Sequence, residues 1–358
     1  MLFFKAVYLI TCVTEFSYCC IFCKKLQIPR DRSVVTIATA PSATAHITLN
    51  KQHNVFKRMW LQKDLQILII PGILYIGLFM YVPMYGILMA FQDYSLGDIP
   101  GFSPWAGLEY FRQLFTDPFF PRVLRNTVVM SLLRIFVGFP MPIIFALILN
   151  EVRISKFKRP VQTVSYLPHF ISWVVAAALI FDILDYDNGV INNALLAIGA
   201  IQEPIFFFGR SEYFWAIATV TDIWKSIGWN AIIFIAAITS VDPELYEAAA
   251  IDGAGRLQRI WYITLQCILP TIIILFIFTI GSLLSANFDQ VFMLTRQMGN
   301  TQLFEHADVI DTYILRTGIG NMRFSFAAAA GFFRTIVNFS LLLFANWLAN
   351  RYGGRGLF

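Results

Sequence analysis

The sequence predicts an all-α membrane protein with six transmembrane helices. Apolar residues make up 58% of its 358 residues and charged residues only 14%, whereas roughly a quarter of the residues are charged in soluble proteins. Six apolar runs each approach the ~20 residues that a helix needs to span the hydrocarbon core of a bilayer. They cover residues 66–90, 127–150, 161–184, 213–240, 263–286 and 324–348.

The chain before the first run has a different composition. Residues 1–23 are apolar but interrupted by charges, and residues 33–55 are polar and rich in threonine, alanine and serine. A stretch of the second kind buries no core of its own. We predict an N-terminal cytoplasmic extension over 1–60, partly disordered or upstream of the natural start. A six-helix membrane domain is predicted over 61–358, with its core at about 121–350.

The distribution of basic residues orients the chain. Four short segments carry twelve lysines and arginines, and three longer loops carry seven, none of them lysine. The short segments are 51–64, 151–160, 241–262 and 349–358; the longer loops are 93–126, 185–212 and 287–323. Because short cytoplasmic segments are enriched in Lys and Arg, both termini and the loop at 241–262 are predicted to be cytoplasmic. The net charge of +5 then reflects this bias and indicates no nucleic-acid partner.

The motifs of several enzyme classes are missing from the sequence. There is no Gly-x-x-x-x-Gly-Lys-Ser/Thr phosphate loop, and no His-Glu-x-x-His or Gly-x-Ser-x-Gly motif. Cys20 and Cys23 have the spacing of a metal-ligand pair, but no second pair or histidine follows at a useful distance, so no metal site is predicted. We expect a chain that is not an enzyme and that holds no cofactor.

A polar loop between the fourth and fifth runs predicts a short helix. Asp242 can cap it, and Pro243 and Glu244 are favoured in the first turn, where the backbone amides are unpaired. Three alanines at 248–250 give a face small enough to enter a groove. Gly253 can end the helix, because a left-handed residue costs least without a Cβ.

This loop resembles the "EAA" loop of permeases in bacterial binding-protein-dependent ABC importers. The resemblance lies in Glu247-Ala248-Ala249, in Gly253 after three further residues, and in Ile263 and Leu265 beyond it. One departure is Gln266, at the place where the family has proline. In that family the loop is a coupling helix that docks on a cytoplasmic ATPase.

The resemblance therefore assigns ATPase coupling to five residues. Glu247 would make a charge contact, Ala248 and Ala249 would form the close-fitting face, and Asp252 and Gly253 would form the turn.

Other stretches extend the resemblance over 61–358. They are similar to sugar-importer permeases, in particular to the polysaccharide and oligosaccharide subgroup related to the maltose-importer permeases, and most like one permease of an alginate importer. The stretches are 105–111, 126–127, 166–173, 222–230 and 308–313.

The resemblance implies a type I ABC importer permease fold in the bacterial inner membrane. Spans two to six would form the shared core, and the first span would pack on a second, homologous permease. Two ATP-binding subunits would bind ATP and Mg²⁺, and a periplasmic solute-binding protein would deliver the carbohydrate.

Polar residues in the fourth run are candidates for a translocation path. Asp222 and Lys225 lie three residues apart, so they can form an ion pair with each other, and substrate contact is about equally plausible. Trp224, Trp229 and Asn230 share the run. Indole faces stack on sugars and amides bind hydroxyl groups, although tryptophan near a membrane boundary is more often an interfacial anchor.

Four further polar residues lie near or inside the runs. Asn287 and Asp289 follow the fifth run, where they either line the mouth of the path or cap a helix end. Arg134 and Arg334 lie at membrane depth; either could pair with an acidic substrate such as a uronic-acid oligomer, and packing or snorkelling is the simpler interpretation.

Two other classes of protein also fit part of this pattern. An ion-coupled secondary sugar transporter would also have six or more spans with buried charges, but it needs no EAA loop. A membrane enzyme of polysaccharide assembly would need a catalytic constellation facing one aqueous side, and the sequence shows none.

Overall fold

The structure is a computed structural model that describes residues 63–152, 154–285, 287–353 and 356–357. The extension predicted for residues 1–60 lies outside the described residues. Leu74–Phe358 form one compact unit, and residues 63–73 belong to the beginning of the first helix.

Helices long and apolar enough to cross a membrane account for all six predicted runs. Four helices qualify by themselves. Two further spans are obtained when the two helices of each bent helix pair are counted together. Spans 1, 2, 5 and 6 are Ile67–Phe91, Phe120–Glu151, Arg256–Gly281 and Phe324–Arg351. Span 3 is Lys156–Phe170 with Trp173–Ile183, and span 4 is Ser211–Thr239, which is followed by Pro243–Ile251.

The all-α prediction is confirmed. Within the described ranges the only strand-like feature is one isolated bridge between Gln92 and Trp105. The three loops 93–126, 185–212 and 287–323 also contain short helices. We name these loops the first, second and third external loops after the side that the sequence predicts for them. The short helices are Glu109–Thr116, Val190–Ala197, Phe288–Leu294, Phe304–Ala307 and Ile310–Leu315.

Span 3 differs from one straight apolar helix. The chain bends by 106° between its two halves. The first half ends in a 3-10 turn at Leu167–Phe170. Ser172 then caps the second half, because its Oγ accepts a hydrogen bond from the backbone N–H of Val175 at 3.4 Å. A serine cap satisfies an amide that would otherwise be unpaired at a new helix start, so the break has a local cause in the sequence.

The core consists of three clusters of buried side chains. The first joins the start of span 4 to the second half of span 3 and the third external loop, around Phe214 and Val291. The second joins the start of span 2 to span 6, around Phe120 and Phe326. The third joins spans 2, 4 and 5; here buried Ala146 and other small residues allow close helix packing.

Spans 3 and 4 lie in close contact at Gly228. A Cβ built on this glycine would overlap the backbone carbonyl of Ser165. Backbone atoms cannot move aside as the end of a flexible side chain can, so the two helices depend on glycine at this point.

Gly228→Ala should therefore destabilise the protein. Overpacking a tight interface usually costs about 1–3 kcal/mol, and a clash with backbone places this variant at or above the top of that range. Thermal unfolding in detergent measures the effect. Gly77→Ala is the matched control, because nothing lies within 4 Å of its added Cβ; equal melting temperatures for the two variants would contradict the packing.

Candidate functional site

The loop after span 4 forms the short helix that the sequence predicts. The helix runs from Pro243 to Ile251, and the Asp242 carboxylate accepts a hydrogen bond from the Glu244 N–H at 3.0 Å. Gly253 has a φ of +79°, the left-handed conformation that favours glycine. We call Pro243–Ile251 the loop helix.

One side of the loop helix is tied to span 5, and the rest is open. The Tyr246 hydroxyl lies 3.0 Å from Oγ1 of Thr264, a buried residue of span 5. Glu247, Ala248 and Asp252 are exposed. Large apolar side chains nearby are also open; Ile251, for example, is 87% exposed. An exposed apolar surface of this kind marks a contact site for another protein or for the membrane.

A cavity of about 280 Å³ lies between spans 2, 4 and 5. We call it the central cavity. Its lining includes Arg134 from span 2, and Asp222, Ser226 and Asn230 from span 4. A smaller cavity of about 30 Å³ shares Arg134 and Asp222 with it and reaches Asn287. Three of the predicted path residues, Asp222, Asn230 and Asn287, therefore line these two neighbouring cavities.

The ion pair that the sequence spacing allows between Asp222 and Lys225 is not formed. The Asp222 carboxylate accepts a hydrogen bond from Nδ2 of Asn287 at 3.2 Å. The Lys225 Nζ donates to the backbone carbonyls of His169 at 2.8 Å and Pro168 at 3.3 Å. Carbonyls at a helix end lack helical partners, so the break in span 3 supplies acceptors that attract the lysine away from Asp222.

The remaining predicted path residues do not line the two cavities. Trp229 stacks on His169, with ring centroids 4.3 Å apart, and Lys225 is buried beside Trp173. Trp224 and Asp289 are exposed elsewhere on the surface. No observation places a substrate beside any of these side chains, so their role in the path stays a prediction.

The two arginines at membrane depth have different surroundings. Arg334 forms an ion pair with Asp311 of the third external loop, which is a packing role. Arg134 instead lines both cavities, and its one hydrogen bond among the described residues is a long one to the Ser285 carbonyl, at 3.4 Å. Most of its five N–H donors therefore remain available to a ligand.

Sequence reasoning missed the serine and threonine residues of the cavity lining. They are Ser226, Thr279 and Ser282 in the central cavity, and Ser131, Thr219 and Ser285 in the smaller one. Gln290, in the stretch after the fifth run that is predicted to line the mouth of the path, also lines the smaller cavity. It is buried and donates to the Ala218 carbonyl at 2.6 Å and to Oγ1 of Thr221 at 2.9 Å. Among the described residues, no group of three or more His, Cys, Asp or Glu side chains could hold a metal ion.

Several apolar spans around a polar cavity, with an exposed helical loop, define a multi-pass membrane permease. A family model described as "binding-protein-dependent transport system inner membrane component" matches residues 115–354, and the chain belongs to this family. It is therefore a multi-pass protein of the inner membrane.

Curated relatives cover most of the chain. The polygalacturonan/rhamnogalacturonan transport system permease protein YteP of Bacillus subtilis is 43% identical over 324 residues, which are 90% of this chain and 98% of the relative. Protein LplB of the same organism is 42% identical over 298 residues, 83% of this chain and 91% of the relative. The lactose transport system permease protein LacF of Rhizobium radiobacter is 30% identical over 77% of this chain and 88% of the relative.

Solved structures confirm the predicted type I importer permease fold. A chain of a bacterial ABC transporter involved in the import of the acidic polysaccharide alginate aligns with a TM-score of 0.77 and 38% identity, covering 84% of this chain and all of that one. A second structure, of an alginate ABC transporter in complex with an alginate pentasaccharide-bound periplasmic protein, aligns equally well over 85% of this chain.

Proposed function

We propose that this chain is one permease subunit of an ATP-driven importer of acidic oligosaccharides or polysaccharides. The loop helix is the observation that supports coupling of transport to ATP hydrolysis. It is capped at Asp242, ends at Gly253 and is hydrogen-bonded to span 5 through Tyr246. Force applied to it is transmitted to a span that lines the central cavity.

Glu247, Ala248 and Ala249 form the surface offered to the ATPase, with Asp252 and Gly253 at the turn. The ATPase subunits bind ATP and Mg²⁺, and this chain binds neither. Both termini and the loop helix face the cytoplasm, as the distribution of lysine and arginine predicts.

The acidic substrate is supported by similarity and by charge. Polygalacturonan, in the name of one relative, is a polymer of a uronic acid, and alginate is described as acidic. Within this chain, Arg134 presents guanidinium donors to the central cavity, and a guanidinium matches the geometry of a carboxylate. Asp222 and Asn230 supply an acceptor and an amide for sugar hydroxyl groups.

The assembly requires three kinds of partner. A second, homologous permease packs against span 1, whose large side chains Leu78, Phe79 and Tyr81 are exposed. Two ATPase subunits bind the cytoplasmic face. A periplasmic solute-binding protein delivers the sugar to the external loops.

Uptake by the whole complex in proteoliposomes tests this function. We expect uptake of oligogalacturonate that requires ATP and the binding protein, and much weaker uptake of its neutral methyl ester. Uptake that continues without ATP while an ion gradient is maintained would instead identify a secondary transporter. If oligogalacturonate and its methyl ester are taken up equally, the ATP-driven importer stands, and only the proposed preference for an acidic substrate is contradicted.

A further inference from the structure

A second polar cavity, of about 320 Å³, lies between the first and third external loops. We call it the loop pocket. It shares no lining residue with the central cavity or its smaller extension. Its lining includes Asp117 and Phe119 from the first loop, Arg122 from the start of span 2, and Tyr313, Arg316 and Arg323 from the third loop.

Three arginines in one pocket are held in place by aromatic rings. The guanidinium carbon of Arg122 lies 5.3 Å from the centroid of Phe119, and that of Arg323 lies 4.3 Å from Phe326. Arg316 lies 5.0 Å from Phe304. Stacking on a ring fixes the plane of a guanidinium and leaves its edge free to donate hydrogen bonds.

Acidic residues behind the pocket hold two of these arginines. Nη2 of Arg316 lies 2.6 Å from the carboxylate of Asp308, whose side chain is fully buried. Arg122 contacts Glu305 at 3.5 Å and Asp308 at 3.9 Å. These carboxylates are not in the pocket lining, so the arginines are oriented from behind, and the one carboxylate in the lining is Asp117.

One buried donor of this pocket, Nε of Arg122, has no hydrogen-bond partner among the described residues. Buried polar groups are nearly always hydrogen-bonded, so this donor indicates a missing acceptor. The Tyr313 hydroxyl is also buried and lies beside the Asp117 carboxylate. Burial and that carboxylate raise the pKa of Tyr313, so the hydroxyl stays protonated at neutral pH and can donate a hydrogen bond.

We infer that the loop pocket binds a carboxylated sugar unit, a uronic-acid residue of an incoming oligosaccharide. Guanidinium groups, among them the unpaired Nε of Arg122, match a carboxylate. The Asp117 carboxylate and the Asn321 amide, which is also in the lining, suit the hydroxyl groups of the same sugar. The pocket would hold sugar at the external face before the central cavity opens.

A single acidic side chain of the binding protein is a less suitable occupant of the loop pocket than a uronic-acid residue. Such a group needs one exposed arginine, whereas this is a concave pocket in the size range of small-molecule sites. It also offers acceptors as well as donors, which a lone carboxylate does not use. The inference rests on the proposed function for the external position of these loops and for the uronic-acid class of the sugar.

Direct binding of digalacturonate tests the inference. The probe is added to the complete permease–ATPase complex in lipid nanodiscs, without binding protein, and affinity is measured by titration calorimetry. Tyr313→Phe removes only the hydroxyl and keeps the ring, so folding should be unaffected. Because a hydrogen bond to a charged group is lost, we expect the affinity to fall about tenfold.

A second variant and two controls complete the test. Arg323→Gln should also weaken binding about tenfold, since it removes a charged donor. Arg112→Gln makes the same charge change on the first external loop but outside the lining, and should leave the affinity unchanged. The dimethyl ester of digalacturonate should not bind.

Three results would overturn the inference. They are no saturable binding of digalacturonate, equal affinity in wild type and both pocket variants, and variants that weaken only the capture of sugar-free binding protein. The last result would make the pocket a protein contact. If ATP-dependent uptake of oligogalacturonate persists while the pocket binds no sugar, the proposed function stands and this inference fails.

Discussion

Gly253→Val is expected to uncouple ATP hydrolysis from transport. The glycine has a φ of +79° and nothing within 4 Å of an added Cβ, so the effect comes from the backbone and not from a clash. An L-residue costs about 1–2 kcal/mol in this conformation, and a β-branched one costs more. The turn would rearrange and release the bond from the Ala254 N–H to the Ala249 carbonyl, 2.9 Å long.

The measurement is ATP hydrolysis stimulated by the binding protein in proteoliposomes. We expect it to fall by more than about tenfold, since ~1.4 kcal/mol of lost docking energy already gives that factor. Ala249→Asp should act in the same direction by placing a charge on the docking face. The amount of protein inserted in the membrane should remain close to that of wild type, because the loop helix lies outside the three buried clusters.

Two controls separate the turn from general damage. Gly253→Asn should retain coupling, because asparagine tolerates the left-handed region. Gly97 also has a positive φ, +107°, and open space around its Cβ, but it lies in the first external loop. Gly97→Val should therefore leave stimulated hydrolysis intact. Normal stimulated hydrolysis in both Gly253→Val and Ala249→Asp would count against the assignment of the loop.

Arg134→Gln is expected to reduce uptake of acidic oligosaccharides by at least about tenfold, the loss that follows when one charge-assisted hydrogen bond is removed. Uptake of a neutral oligosaccharide, measured in the same proteoliposomes, should change little. The variant should fold, because the hydrogen bond of Arg134 to the Ser285 carbonyl, at 3.4 Å, is long and weak.

Two companion variants make the charge argument specific. Arg134→Lys keeps the positive charge and should retain part of the uptake. Asp222→Asn removes the negative charge from the central cavity and should improve, or leave unchanged, the uptake of an acidic substrate. If Arg134→Gln lowers acidic and neutral uptake equally, the arginine acts on the structure and not on the substrate.

Local rules predicted the loop helix well. The cap at Asp242 and the left-handed Gly253 both follow from residue types within a few positions of the helix ends. The six apolar runs were also recognisable, because length and hydropathy are properties of a single segment. The EAA string pointed to the family to which the chain belongs.

Contacts between distant segments could not be predicted in the same way. The partner of Lys225 depends on a break in span 3 that frees the carbonyls of Pro168 and His169. Arg334 of span 6 forms an ion pair with Asp311 of the preceding loop, and the loop pocket brings residues of 117–122 together with residues of 304–323. A single sequence shows the residue types of such groups but not which of them meet.

The side of the membrane on which Glu247 lies is the most direct test of the account. A Glu247→Cys variant, with the native cysteines replaced, is treated with a membrane-impermeant maleimide in intact spheroplasts and in inside-out vesicles. The account predicts labelling only in the vesicles, and protection of the thiol once the ATPase subunits are bound. Labelling in intact spheroplasts, or unchanged labelling in the assembled complex, would contradict it.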